Sequence, residues 1–183
     1  MNVEDELLQL ACERENATQA ALQGMSFEPD YLRRQLRQYL SRQVEQARMK
    51  RPDDRVPQLT RAQDDLYELA CPEVEFSDGG RLLFCIHLEE SRRGWVVGQF
   101  KFELHLPSSR NINMVRIELN SQASHDPLRV PRCHLHVDDS GAHIPFPIMN
   151  PRLILSLICE HIEPDFGISA GHSGAGRKTR HKP

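Results

Sequence analysis

The architecture can be read from residues 82–106, whose sequence is LLFCIHLEESRRGWVVGQFKFELHL. Apolar and polar side chains alternate along both halves of this stretch, as they do in strands that have one buried and one solvated face. Between the halves, residues 91–94 (Ser-Arg-Arg-Gly) have the composition of a tight turn. The stretch therefore predicts a two-stranded antiparallel hairpin.

Shorter strands are predicted after the hairpin, over residues 113–120, 132–138 and 143–146. In the first of these, Val115, Ile117 and Leu119 alternate with polar residues and should point inward. Asn150 and Pro151 then introduce a helix that we expect to run to Ile162 and to cover one face of the sheet. Its predicted apolar stripe consists of Leu153, Ile154, Leu157, Ile158 and Ile162.

The first 70 residues are predicted to be helical. Residues 3–22 carry apolar side chains at nearly helical spacing. A second helix should start within residues 26–30 and end at the break formed by residues 51–55. A third is predicted over residues 60–70, with Thr60 as its N-cap and Gln63 at the capping-box position. The second helix is rich in arginine, so it presents either an RNA-binding or partner-binding face or simply a solvated one.

These elements predict the α+β class: N-terminal helices, a four- to five-stranded antiparallel meander and a C-terminal covering helix. We expect a single domain over residues 1–166, with a helical part at 1–70 and a sheet-plus-helix part at 73–166. Residues 167–183 are rich in Gly, Ser and basic residues and show no periodicity, a composition typical of a disordered tail.

Charge and composition exclude several classes of protein. The net charge is −3, but the last fifteen residues hold four basic residues and no acid, so the remainder carries −7, which disfavours nucleic-acid binding by bulk charge. The chain has no apolar run long enough to cross a bilayer and an acidic N-terminus, so we expect a cytoplasmic protein with no membrane association. The five cysteines show no CxxC spacing, which predicts free thiols.

A cluster of histidines is the main candidate for chemistry. In the strand over residues 132–138, His134 and His136 share one face, and Cys133, Leu135 and Val137 should point to the core. Two imidazoles at this spacing lie about 7 Å apart and can converge on one small ligand. His143 follows a tight turn that would return it beside His136, and Arg116 of the preceding strand belongs to the same sheet.

Three interpretations of this cluster remain open. The histidines could hold zinc or another transition metal, with His143 or Asp138 as the third ligand. They could act as acid and base in cleaving a phosphodiester, with Arg116 or Arg132 neutralising the phosphate. The polar face could also be merely structural or bind a protein, with the histidines as half-buried hydrogen-bonding groups. We take His134, His136, Arg116 and His143 as the candidate catalytic residues, acting on RNA or another phosphodiester and pointing away from the core.

Several short segments resemble small bacterial toxin-like proteins of the TumE kind and related domains of unknown function. They are residues 115–119 (VRIEL), 125–126 (HD), 130–137 (VPRCHLHV) and 143–145 (HIP). The resemblance implies a prokaryotic stress or defence context. Together with the acidic body of the chain, it leads us to expect a cognate protein partner, such as an antitoxin, with RNA as a further candidate partner.

Residues 95–107 and 147–158 carry a second, weaker resemblance, to the central strands and following helix of ubiquitin-conjugating E2 folds. A nucleophilic cysteine is missing from the place where that family has one, because Cys133 lies in mid-strand. This resemblance implies a non-catalytic adaptor or protein-interaction module.

Overall fold

The computed structural model describes residues 3–52, 56–108, 111–122, 130–138 and 140–162. Three helices are present in this part of the chain: α1 (Val3–Gln23), α2 (Pro29–Glu45) and α3 (Pro151–Leu157), which continues as one π-helical turn over Ile158–Ile162. The strands are β1 (Ser26–Phe27), β2 (Gln58–Gln63), β3 (Leu66–Glu75), β4 (Arg81–Ser91), β5 (Gly94–His105), β6 (Met114–Leu119), β7 (Cys133–Val137) and β8 (Ile144–Pro145).

All strands belong to one antiparallel sheet in the order β2-β3-β4-β5-β6-β7-β8, and β1 pairs with the start of β5. The α+β class is therefore confirmed, but the sheet has eight strands rather than four or five. The expected hairpin is present as β4 and β5, with Phe84 opposite Phe102. Gly94 closes its turn at φ 106°, a backbone conformation that residues with a Cβ rarely adopt.

The predicted third helix over residues 60–70 is wrong. This segment forms the hairpin of β2 and β3, in which Thr60 pairs with Glu68 and Gln63 with Leu66. Leu69 and Cys71 are buried two residues apart, which is the spacing of one face of a strand rather than of a helix. The sheet therefore begins at Gln58 rather than at Glu73, because polar residues suited to a helix cap are equally compatible with a solvated edge strand.

The predicted first helix is confirmed, and the second begins where expected. Glu28 is its N-cap, and its carboxylate accepts hydrogen bonds from the backbone N–H groups of Asp30 and Tyr31. The helix ends earlier than the predicted break, at Glu45, just before Ala47 takes a positive φ of 57°. Residues 53–55 of that break and the predicted tail 167–183 lie outside the described residues.

One apolar cluster joins α2 and α3 to one face of the sheet. The buried positions of the last helix differ from the predicted stripe, since Leu153 is 56% exposed whereas Leu155 and Cys159 are buried. The buried set is Ile154, Leu155, Ile158 and Cys159. Adjacent pairs at i, i+1, i+4 and i+5 form a face that is centred away from Leu153. The predicted stripe, which includes Leu153, is therefore rotated away from the buried face of the helix.

Two further findings bear on the predicted class of protein. All five cysteines are free, as expected. Among the described residues, no helix combines the length and the hydropathy that spanning a bilayer requires.

A hydrogen bond joins α2 to the π-helical turn at the end of α3. The hydroxyl of Tyr39 donates to Oε1 of Glu160 at 2.6 Å. Burial, followed by this bond, raises the pKa of Tyr39, so the phenol keeps its proton, and the same bond lowers the pKa of Glu160.

We expect Tyr39→Phe to lower the free energy of unfolding by about 1 kcal/mol, which is less than a buried bond to a charged acceptor contributes, because Glu160 is exposed. Urea unfolding at neutral pH measures the change. Tyr31→Phe is the matched control, since the Tyr31 hydroxyl bonds only Gln35 within the described part of the chain and on an exposed surface. Equal losses in both variants would contradict a role for the Tyr39–Glu160 bond.

Candidate metal centre

The pairing of β6 with β7 brings four polar side chains to one face of the sheet. Arg116 lies opposite His136, and Glu118 lies opposite His134. The alternate residues Val115, Ile117, Leu119 and Cys133 are buried on the core side. The apolar partners on one face thus impose the positions of the histidines on the other.

His143 completes a group of three imidazoles. Strand β8 pairs with β7 so that Pro145 lies opposite His134 and Ile144 opposite Leu135. Continuing this register by one residue places His143 beside His136. The three ring centroids are 4.5–4.8 Å apart, and one ring nitrogen of each histidine lies within 4.8 Å of those of the other two.

The histidine face is not the solvated surface expected from the sequence. His134 is only 1% exposed and His136 only 5%, whereas His143 is exposed. The expectation was wrong because strand alternation separates two faces without indicating what covers the second one. The group is therefore a buried polar cluster with one side open to solvent.

Hydrogen bonding determines which nitrogens are available. Nδ1 of His134 lies 2.8 Å from the carbonyl oxygen of Pro131, which can only accept, so Nδ1 carries the proton and Nε2 has the free lone pair. Nε2 of His136 is buried and has no hydrogen-bond partner. Burial, followed by the positive charge of Arg116, lowers the pKa of His136 and keeps its ring neutral.

Glu118 directs one carboxylate oxygen at both rings. Its Oε2 lies 3.4 Å from Nε2 of His134 and 3.4 Å from Nε2 of His136. A carboxylate that faces an imidazole lone pair is repelled unless a proton or a cation lies between them. In a tetrahedral site with bonds of about 2.0–2.1 Å, the ligand atoms are about 3.4 Å apart. The two separations between Glu118 and the histidines therefore match two edges of a zinc coordination tetrahedron, and the three histidine nitrogens lie within 4.8 Å of one another.

The two arginines are already engaged. Nε of Arg116 lies 3.1 Å from Oε1 of Glu118, and its Nη1 lies 3.8 Å from Glu103. Arg132 is buried and donates to Glu15 and Gln19 of α1 and to the carbonyl of Asn120. Arg132 is therefore not placed to neutralise a phosphate, because its guanidinium connects the start of β7 to the N-terminal helix.

Asp138 is not in the group either. Its Oδ1 accepts hydrogen bonds from the backbone N–H groups of Asn113 and Met114, so it caps the start of β6 instead of acting as the third ligand. His125 lies outside the described residues.

A second group, formed by Glu68, Cys85 and His87 on β3 and β4, was not anticipated from the sequence. Its signal was available, because Cys85 and His87 have the same i, i+2 spacing in a strand as His134 and His136. Glu68 could not be added without the pairing of β3, which was predicted to be largely helical.

No protein-family model, curated protein or solved structure matches this chain. The resemblances to toxin-like proteins and to E2 folds therefore stay expectations, and function has to be argued from the site.

We expect acid to destabilise the metal-free protein partly through His136. Its pKa is lowered in the fold, whereas it is about 6.5 in the unfolded chain, so below that pH the unfolded state binds a proton that the native state does not. The unfolding free energy should therefore decrease as the pH falls from 7 to 5, and less so in His136→Leu.

Urea unfolding at several pH values in the presence of a chelator measures this difference. His105→Leu provides the control, because His105 is a half-buried histidine on β5 outside the cluster. Identical pH slopes for the wild type and His136→Leu would show that His136 does not carry the effect.

Proposed function

We propose that this protein binds a divalent transition-metal ion, zinc by ligand type, through His134, His136 and His143 with Glu118 at the same centre. One observation carries the proposal: three imidazoles converge where the buried Nε2 of His136 has no hydrogen-bond partner, and a carboxylate oxygen of Glu118 lies 3.4 Å from two of them. An ion at this point would satisfy that nitrogen and remove the repulsion between Glu118 and the imidazole lone pairs.

The surroundings of the ligands support the proposal. Neutral imidazoles and a carboxylate are ligands that zinc accepts. Histidine ligands commonly donate their second ring N–H to a carbonyl, as His134 does to Pro131. The Glu118 carboxylate is held by an ion pair with Arg116, in which Nε lies 3.1 Å from Oε1. The lowered pKa of His136 keeps its nitrogen free of the proton that would compete with a metal.

Metal-assisted hydrolysis of RNA or another phosphodiester is the second candidate function, favoured by the exposure of His143. With three histidine ligands, the open side would leave one position for water, and Glu118 is close enough to accept its proton. Acid–base cleavage without a metal is less well supported, because His134 and His136 are buried and both arginines are paired. We call this second candidate, a toxin-like protein that hydrolyses a phosphodiester, the effector hypothesis. It includes the cognate protein partner that the resemblance to toxin-like proteins leads us to expect.

Metal binding is tested by competition with a chromophoric chelator on the full chain. We expect His134→Ala/His136→Ala to weaken zinc binding at this centre by at least about 100-fold, because both ligands buried in the sheet are removed. His105→Ala is the matched control and should bind as the wild type does. Circular dichroism verifies folding. His136→Leu is a second variant, which removes the ligand but fills the buried space with an apolar side chain. Unchanged zinc affinity and stoichiometry in the folded double variant would refute the proposal.

The hydrolytic candidate is tested with Glu118→Gln. If Glu118 is the base, RNA cleavage by the zinc-loaded protein should fall by about 100-fold or more, since general-base catalysis contributes that much. Absence of cleavage by the zinc-loaded wild type would exclude this candidate while leaving the metal-binding result intact. Toxicity of the chain alone, relieved by a co-purifying neighbouring gene product, would support the effector hypothesis.

A further inference from the structure

A second cluster of metal-ligating side chains lies on β3 and β4. Glu68 stands opposite His87 in the pairing of these strands, and Cys85 precedes His87 by two residues and shares its face. All three residues are half-buried, and one ligand atom of each lies within 4.8 Å of the others. We propose that Glu68, Cys85 and His87 form a second transition-metal site, which takes a zinc-type ion through a carboxylate, a thiolate and an imidazole.

The geometry of the pair formed by Glu68 and His87 repeats that of the histidine centre. Oε2 of Glu68 lies 3.4 Å from Nε2 of His87, the separation expected between two ligands of a tetrahedral zinc ion. The side-chain amide nitrogen of Gln99 contacts Nδ1 of His87 and orients the ring. Because that nitrogen donates to Nδ1, a neutral ring carries its own proton on Nε2, towards Glu68. Binding an ion at Nε2 therefore requires this proton to move to Nδ1 and the amide to turn its oxygen to it.

Space for an exogenous ligand is available beside Cys85. Two cavities, of about 260 and 280 Å³, adjoin it, and both are lined by Cys85 and Lys101. Three protein ligands leave a fourth tetrahedral position, which water or a small anion can fill. Lys101 lines both cavities, but its ammonium group is paired with Glu103 at 2.9 Å, so water is the expected fourth ligand.

The two centres are too far apart to form one dinuclear site. Cys85 pairs with Lys101, Lys101 with Glu118, and Glu118 with His134. Three spacings between neighbouring strands amount to about 14 Å. Two-metal sites hold their ions about 3.5–4 Å apart. The second ion would therefore be bound independently, and Lys101 places a positive charge in the row between the two.

The same residues are poorly suited to covalent catalysis. A nucleophilic cysteine requires a lowered pKa, whereas burial, followed by the charge of Glu68, raises the pKa of Cys85 to about 11. On binding an ion, the thiol would release its proton to solvent as the sulfur–metal bond forms. The ligand set of the second site, which contains a thiolate, is therefore softer than the three imidazoles of the histidine centre.

Cobalt(II) distinguishes the two centres, because only a thiolate ligand produces a cobalt–sulfur charge-transfer band in the near ultraviolet. We expect the wild-type chain to show this band on cobalt titration and Cys85→Ser to lose it. Cys12→Ser is the matched control, since Cys12 is exposed and outside the cluster, and it should keep the band. His134→Ala/His136→Ala should also keep it, because the proposed site does not use those ligands.

Glu68→Gln provides a second variant that preserves the thiol, and we expect it to weaken the cobalt–thiolate signal at least about 10-fold. No charge-transfer band in the wild type, or an unchanged band in Cys85→Ser, would overturn the second site. Failure of the histidine centre would appear separately, as equal metal stoichiometry in the wild type and the His134/His136 double variant.

Discussion

The register between β6 and β7 is the constraint on which both the core and the candidate centre depend. A slip of one residue would exchange the two faces, moving Cys133 and Leu135 out of the core and turning His134 and His136 into it. The apolar side of the sheet, packed under α2 and α3, therefore enforces the polar constellation on the other side. No local preference of the histidines themselves is needed to bring them together.

That constellation carries an energetic conflict. A buried polar atom without a partner costs about 1–3 kcal/mol, and Nε2 of His136 is such an atom. The centre also sets a carboxylate against the His136 imidazole, which burial keeps neutral. Apolar side chains at these positions would avoid both costs, so the conflict is an argument for the proposal that a cation binds here.

The sequence predicted most of the sheet because its alternation is strong wherever one face is apolar, as in β4 and β5. It failed over residues 60–70, where capping signals suit a solvated strand as well as a helix and where Leu66, Leu69 and Ala70 are also spaced as on one face of a helix. Strand alternation also grouped His134 with His136. It could not reveal that they are buried, that Arg132 reaches α1, or that Glu68 meets His87, since each depends on contacts between distant segments.

The bond between Arg132 and Glu15 spans 117 residues of chain and joins the first helix to the strand that carries two of the histidines. Such a contact closes only after the intervening strands have been made and paired, because the entropy of closing the loop has to be offset by them. On the ribosome, the ion pair between Arg132 and Glu15 therefore forms only after β7 emerges, although α1 can contact β5 earlier. The histidine centre is thus among the last parts of the molecule to form, and under the proposed function the order of synthesis delays metal binding until the fold is complete.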